Sequence, residues 1–259
     1  MNEATIRLCR KTDHPAVAEL WCDIFDDLPA VPEFFLENLP RLGAGFVADC
    51  EGEIAGCAFA VTDLTLCGDE EKKIGYVYAV AVKERFRHHG LGARLTRAAA
   101  DYIQNRGALL TIQPAEDSLF SWYETVIGTT CALYRQRREL PAGGEITPER
   151  LDAAEYARRR LALVPRPFIQ PGQAAMEYEE LLLRTYGGGL FAFPGGITAV
   201  GEGAVREILG GGERECAALA EALGMEKITA FFPGTEGERY IAAEAGALDA
   251  KTFWNLSLD

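Results

Sequence analysis

Residues 73 to 107 constrain the fold more than any other stretch. "KIGYVYAVAV" (73–82) is continuously apolar and rich in β-branched and aromatic residues. A run of strand length without polar alternation suits a strand covered on both faces of a sheet. It breaks into "KERFRHHGLG" (83–92) and then into "LGARLTRAAADYIQNRG" (91–107), an Ala- and Leu-rich helix closed by Gly107, a good residue for a helix C-terminus. Between 83 and 97 five Lys or Arg (Lys83, Arg85, Arg87, Arg94, Arg97) face one acid, Glu84. A strand that opens through a cationic glycine turn into a helix N-terminus suits an anion. Unpaired N–H groups and the positive end of the helix dipole converge there, and glycines at 90 and 92 admit a ligand without a Cβ in the way. The spacing is not the G-x-x-x-x-G-K-[ST] of a Walker loop, nor a G-x-G-x-x-G in a βαβ unit.

The patch stands out because the chain is acidic, with formal charge −13 over 259 residues. General affinity for nucleic acid or anionic membranes needs a net basic surface, so neither is an expected partner, and the patch implies a local anion. No apolar stretch approaches membrane-spanning length, and "MNEATIRLCRKTDH" lacks the core of a signal peptide. A soluble, cytoplasmic protein is the expectation. The seven cysteines form no C-x-x-C pair and read as reduced thiols in or near the core. With only three histidines, His14, His88 and His89, no metal site is expected and a Ser-His-Asp triad is disfavoured.

Around the central run the first half reads as strand 4–9, helix 14–26 (Val17, Leu20, Trp21 and Ile24 on one face), helix 32–39 and two strands within 45–66 joined at Glu51-Gly52-Glu53. After the helix at 91–107 come strand 108–114, a short helix 117–128 and a last strand 129–140. The order β-α-α-β-β-β-α-β-α-β predicts a mixed α/β layer rather than alternating βα units. "PAGGEITPER" (141–150) reads as a linker, and 149–163 and 173–186 as helices. A faint repeat follows. "GLFAFPGGITAVGEG" resembles the earlier hairpin, "AVREILGGGERECAALAEALG" the strand, glycine loop and helix, and "ITAFFPGTEGERYIAAEAG" the fifth strand, proline and short helix. Gly92 to Pro114 is 22 residues and Gly212 to Pro233 is 21; Pro114 to Gly128 is 14 and Pro233 to Gly246 is 13. Two related domains are expected, 1–140 and 151–259, joined by 141–150.

"RHHGLG" (87–92) is similar to the R/Q-x-x-G-x-G/A pyrophosphate loop of the GCN5-related (GNAT) N-acetyltransferases. The preceding "AVAV" matches that family's central strand, and "SLFSWYETVIG" its tyrosine-bearing helix, so the resemblance covers about residues 4 to 140. It implies a GNAT fold with a splayed central sheet, followed here by a second, degenerate GNAT-like domain. It implies acetyl-CoA as cosubstrate, entering a V-shaped gap between the fourth and fifth strands. Carried over by position, Val80, Ala81 and Val82 line the pantetheine, while Arg87, His88, His89, Gly90, Leu91, Gly92 and Ala93 surround the pyrophosphate. Backbone N–H groups near Ala81 and Val82 receive the thioester carbonyl oxygen. Tyr123 takes the place of the residue that protonates the departing thiolate; an ordinary phenol pKa of about 10 lets it donate. The catalytic role is preferred for Tyr123 over packing in the core, which is the reading expected of Trp122. Glu116 stands where many members keep an asparagine, with Ser118 a substitute for that contact. No base is assigned: Tyr76 or Tyr78 either orients a relaying water or simply packs, and a neutral amine needs no base for direct attack.

From residue 12 to residue 40 there is no Lys or Arg but seven acids, Asp13, Glu19, Asp23, Asp26, Asp27, Glu33 and Glu37. In this fold the first two helices wall the acceptor site, so the run suits a cationic amine such as a polyamine, an aminoglycoside or a lysine side chain; a solvated helix face explains it equally. Phe25, Phe34 and Phe35 either line an apolar part of that wall or belong to the core. In the second half the strand approaches its glycines through Arg206-Glu207, and Ala242 falls nine residues after Pro233, as Tyr123 does after Pro114. That domain is expected to shape the acceptor cleft without chemistry. The expected activity is acetyl-CoA-dependent N-acetylation of a primary amine, on a small molecule or a peptide, by direct transfer. A non-catalytic acyl-CoA-binding or sensing module, and transfer of a longer acyl group, stay open, as does the oligomeric state.

Overall fold

A computed structural model describes residues 4–256 and 258. The first half holds β1 (Thr5–Leu8), α1 (His14–Phe25), α2 (Ala30–Leu42), β2 (Gly43–Cys50), β3 (Glu53–Cys67), β4 (Glu71–Val82), α3 (Leu91–Gln104), β5 (Leu109–Ile112), α4 (Leu119–Ile127) and β6 (Thr130–Pro141). The second half holds β7 (Glu149–Leu151), α5 (Ala153–Leu163), β8 (Phe168–Pro171), α6 (Gln173–Thr185), β9 (Gly189–Phe193), β10 (Gly196–Gly201), β11 (Ala204–Leu209), α7 (Glu213–Ala222), β12 (Lys227–Gly234) and β13 (Glu238–Ala243). Among the described residues no helix is long and apolar enough to cross a membrane. All seven cysteines are free thiols, and Cys57, Cys67 and Cys216 are buried.

The first compact unit comprises the chain through Leu66, Glu71–Ala132 and Ile241–Leu248. Its strand order is β1-β2-β3-β4-β5-β13, and β4–β5 is a parallel pair. α3 lies on this sheet because Leu91, Leu95, Ala99 and Ile103 recur on one face and are buried with Val77, Leu110 and Phe120. Each of the larger aliphatic side chains contributes about 1.5–3 kcal/mol by leaving water. The entry to α1 is pinned by Arg7, whose Nη1 reaches Asp13 Oδ2 at 2.7 Å and whose Nη2 reaches Asp49 Oδ2 at 2.9 Å. That guanidinium ties β1, the turn before α1 and β2 together, and holds the Asp13 carboxyl below the usual carboxylate range.

The second unit comprises Cys67–Glu70, Leu133–Tyr240 and the chain from Asp249. Its strands run β6-β12-β11-β10-β9-β7, with β11–β12 the parallel pair. An ion pair is sealed in its core. Arg160 donates from Nη2 to Glu207 Oε2 at 2.9 Å, both side chains fully buried. Tyr156 Oη donates to Glu207 Oε1 at 3.0 Å, and Arg160 Nη1 to Ile169 O at 2.9 Å.

Three differences from the sequence reading have physical causes. Residues 149–151 are a strand rather than the start of a helix, with Leu151 opposite Leu190. The helix begins only after Asp152, whose carboxylate accepts the Glu155 N–H at 2.8 Å as a proper N-cap. Nor does a helix follow Pro233: Gly237, at φ 124, lies before Glu238, and β13 runs antiparallel to β5 with Ala242 opposite Ile112. The match of Ala242 to Tyr123 therefore fails, since Ala242 sits on a strand. Finally, β6 pairs with β12, Gly234 opposite Tyr134, while β13 pairs with β5. Each unit thus draws the strand beside its parallel pair from the other half of the sequence, and the units do not follow 1–140 and 151–259. The expected linker 141–150 carries the end of β6 and the start of β7, inside the second unit.

Candidate cosubstrate site

β4 and β5 pair only from Ile74 opposite Leu109 to Val77 opposite Ile112. There β5 ends, while β4 continues to Val82, leaving its last residues an open edge. The departure coincides with a kink, for Ala79 has φ 45. A non-glycine residue in that region costs about 1–3 kcal/mol and persists only where its surroundings hold it. β3 does the holding. The buried Cys57 thiol donates to Ala79 O at 3.8 Å, and the Lys83 N–H donates to Ala55 O at 2.9 Å. Gly56 lies so close that a Cβ there would come within 2.7 Å of Ala81 O. Burial pushes the Cys57 thiol up to about 12, with the nearby Ala81 N–H opposing the rise, so it stays a protonated donor. Since Ala81 and Lys83 turn their main chain toward β3, strand alternation turns Val80 and Val82 to the open edge. Of the two amides expected to serve a carbonyl oxygen, Val82's faces that edge and Ala81's does not.

The loop after β4 is wound tightly. Phe86 N–H donates to Lys83 O at 2.9 Å and Arg87 N–H to Glu84 O at 3.1 Å; His88 has φ 66 and Gly90 φ 75. At φ 75 glycine is the residue without a steric penalty. Arg94 is the first residue to donate into α3, to Gly90 O at 3.1 Å; the amides of Leu91, Gly92 and Ala93 precede it, with no acid in the first turn. A Cβ on Gly92 would stand 3.9 Å from both Trp122 and Val82, so the helix N-terminus opens into a groove between the end of β4 and α4. Arg87, His88 and His89 are exposed beside it, whereas the Leu91 side chain is in the core and has only its amide to offer.

The cationic run is more divided than the sequence suggests. Lys83 and Arg85 both pair with Glu53, which drops below its usual pKa mainly through Arg85. Arg94 Nη2 donates to Ala4 O at 2.7 Å and Arg97 Nε to Val126 O at 3.3 Å. Arg87 Nε donates to Val82 O at 3.0 Å, which sets that guanidinium at the mouth of the groove.

α4 brings Tyr123 to the same place. Its ring meets Trp122 edge-on, centroids 4.8 Å apart, and burial pushes its phenol up to about 12. Trp122, read from sequence as core, is only half-buried and forms a wall of the groove; its nearness to Gly92 reveals this, and no sequence signal did. Glu116 and Ser118 are exposed ahead of α4. Tyr76 and Tyr78 stack at 5.9 Å, and Tyr78 reaches Trp21 at 5.6 Å and Phe35 at 5.4 Å. Both strand tyrosines are thus packing residues of an aromatic cluster that extends through Trp21 to Phe25 at 5.7 Å. Phe35 is wholly buried, while Phe25 is 40% exposed. Two of the seven acids serve the fold, Asp13 on Arg7 and Asp27 accepting Trp21 Nε1 at 2.7 Å.

In the second unit the corresponding helix start is closed. Gly212 N–H donates to Glu215 Oε2 at 2.8 Å, and Glu213 and Glu215 both occupy the first turn of α7.

A splayed mixed sheet, a kinked central strand and an uncapped, acid-free helix N-terminus thus meet at one place in the first unit. Residues 13–135, the part of the chain that carries this helix start and strand, match the acetyltransferase (GNAT) family. A search of curated proteins finds no match. Solved structures share the fold at low identity. A probable N-acyltransferase of Enterococcus faecalis V583 superposes with TM-score 0.68 at 12% identity, covering 93% of this chain and 72% of that one. A GCN5-related N-acetyltransferase from Kribbella flavida gives 0.63 at 16%, covering 93% and 71%. Eis1 from Mycobacterium abscessus gives 0.60 at 16%, covering 92% and 73%. The mixed α/β GNAT fold therefore extends over both halves of the chain.

Proposed function

We propose that the protein transfers an acetyl group from acetyl-CoA to a primary amine in one direct step. The observation that carries this reading is the groove at Gly92. It joins helix amides fit for a pyrophosphate to an open β4 edge fit for the amide-bearing pantetheine, with Tyr123 behind its tryptophan wall. On this reading the amides of 90–93 and Arg87 hold the pyrophosphate, with His88 and His89 at the rim, and Val80 pairs with the pantetheine. The neutral amine attacks the thioester carbon, and Val82 N–H stabilises the charge gathering on the carbonyl oxygen. As the carbon–sulfur bond breaks, Tyr123 gives its proton to sulfur and is reprotonated from solvent, while the amine's surplus proton leaves to water. A phenol held near 12 remains an acid through the whole physiological range.

The remaining acids of α1 and α2 support a cationic acceptor, and the Phe25–Trp21–Tyr78 cluster supports one with an apolar portion. We assign no transfer chemistry to the second unit. Its α7 amide is occupied by Glu215, and the strand before its glycines carries the sealed Glu207–Arg160 pair. A second reading, a non-catalytic acyl-CoA-binding module, draws on one fact: residues 74–82 of β4 contain no carboxylate to serve as base.

Calorimetric titration of acetyl-CoA, with free-thiol release followed across a panel of amines, separates the two. Binding plus amine-stimulated release that falls on the order of 10²–10⁴-fold in Tyr123→Phe supports the transferase, provided coenzyme A affinity is kept. Binding without release from any amine supports the module. Undiminished release in Tyr123→Phe removes Tyr123 from the chemistry.

A further inference from the structure

Two of the chain's three histidines, His88 and His89, stand side by side where the loop turns into α3. Both are exposed, and among the described residues neither ring has an ion-pair or hydrogen-bond partner. The backbone fixes where they stand. Arg87 N–H donates to Glu84 O at 3.1 Å, and His88 at φ 66 and Gly90 at φ 75 turn the chain into the helix. The amides of Leu91, Gly92 and Ala93 follow directly, ahead of Arg94, the first residue to donate into α3.

Histidine is the side chain whose charge ordinarily changes between pH 5 and 8, whereas a guanidinium stays charged throughout. The helix start therefore has one permanent cation, Arg87, and two conditional ones. The other charges around the loop have their own places. Glu53 of β3 is held by Lys83 and Arg85. On α3, Arg94 reaches Ala4 O and Arg97 reaches Val126 O, and the first turn has no acid. The loop adds Glu84, and the segment through α4 adds Glu116, Asp117 and Glu124, all exposed. Among the described residues none of these carboxylates pairs with either histidine. A diphosphate on the helix amides would bring two negative charges against imidazoles that the fold leaves unpaired.

We infer that His88 and His89 make cosubstrate binding pH-dependent, both imidazoles being drawn to their protonated form, with protons from solvent, as the diphosphate of coenzyme A is seated. This rests on the pyrophosphate lying at residues 90–93. An imidazole that gains an anionic partner titrates higher in the complex than in the free protein. Its contribution to affinity is therefore complete below the free value and lost as pH rises through the bound one. Cosubstrate is held more tightly in mild acid, while the fraction of neutral amine available for attack rises with pH. These opposing trends confine turnover at low cosubstrate to a pH window.

The test is calorimetric titration of the full chain with acetyl-dephospho-coenzyme A between pH 6 and pH 8 at constant ionic strength. This probe lacks the phosphate monoester, which itself titrates at about pH 6, and its diphosphate and capped sulfur keep one charge over the range. Affinity is expected to be about tenfold tighter at pH 6 than at pH 8, from two exposed ion pairs of ordinary strength. Titrations at pH 7 in two non-phosphate buffers of different ionisation enthalpy should show net proton uptake. His88→Asn/His89→Gln, with asparagine at 88 because it tolerates the positive φ, should bind with little pH dependence and little uptake. Arg87→Gln should weaken binding at both ends of the range and keep the pH dependence. A flat affinity in wild type, or a dependence that survives in the double variant, overturns the histidine switch and leaves the diphosphate seat standing. A dependence lost in Arg87→Gln overturns the division between permanent and conditional cations. No binding at any pH overturns the seat itself, and the switch with it.

Discussion

Gly92→Ala should make the protein more stable and its cosubstrate weaker, and the structure sets both signs. Gly92 is the second residue of α3 and has an ordinary helical backbone, so alanine is favoured there by about 0.5–1 kcal/mol through helix propensity alone. Nothing opposes the gain. The new methyl would stand 3.9 Å from Trp122 and 3.9 Å from Val82, ordinary van der Waals contact. At about 2–4 °C per kcal/mol for a chain of this size, the melting temperature without ligand should rise by about 1–4 °C. The same distances determine the loss. A methyl in contact with both walls leaves no room between them for a phosphate oxygen approaching the helix amides. Losing one hydrogen bond to a charged acceptor is worth about 1.5–3 kcal/mol, or about ten- to hundredfold in affinity. Thermal unfolding and calorimetric titration with coenzyme A on the same preparation measure both. A raised melting temperature with unchanged affinity would show that the groove between Val82 and Trp122 is not the pyrophosphate seat. A lowered melting temperature would show that the space itself is misjudged.

Three further outcomes follow from other contacts. Cys57→Ala removes the donor that holds the Ala79 kink; steady-state kinetics should show kcat falling on the order of tenfold through misplacement of the β4 edge, while calorimetry shows coenzyme A affinity, set at the loop, little changed. Glu207→Gln leaves Arg160 charged and buried, and should cost about 3–5 kcal/mol in urea unfolding, whereas the double change Arg160→Met/Glu207→Leu should recover much of it. Asp13→Asn should cost about 1–3 kcal/mol at pH 7. Because Arg7 lowers the Asp13 pKa in the folded state, that contribution is complete above the unfolded value of about 3.9 and disappears as pH falls through the folded one. Wild type and variant should therefore converge in stability in acid.

Most of the first unit was legible because its signals are local. The apolar run of β4, the Gly90 turn and the four-residue recurrence of Leu91, Leu95, Ala99 and Ile103 each imply a conformation without reference to distant partners. What escaped depends on neighbours brought in by the fold. The kink at Ala79 has no glycine or proline to announce it, since it is imposed by Cys57 and Gly56 on the adjacent strand. Trp122 reads as core because its open side becomes visible only when the missing side chain of Gly92 is placed opposite. The cationic run reads as one patch in sequence, yet Glu53, thirty residues before Lys83, takes two of its members. In the second half the repeat spacing misled: Pro233 to Gly246 imitates Pro114 to Gly128, but the residues between form β13, a strand completed by β5.

The exchange of β6 and β13 bears on why only the first unit offers an open helix start. In both, glycines and a helix join the two strands of a parallel pair, so both possess the frame of a phosphate-binding helix start. They diverge in what satisfies that helix. At α3 the first turn has no acid and its amides face a groove. At α7 the Gly212 amide is met by Glu215, and Glu213 adds a second negative charge, which repels a phosphate where the helix dipole would attract it. The strand leading in differs in the same sense. β4 turns a free edge outward past Val77, whereas the side chain of Glu207 on β11 is committed to Arg160 and Tyr156. The helix that carries Tyr123 has no counterpart after β12, where the chain passes directly to β13. Restoring a phosphate site to the second unit would thus require more than removing Glu215: the Gly212 amide would be freed, but Glu213 would still place a negative charge in the first turn. The closure of that helix start thus goes with a different backbone path after β12, not only with different side chains.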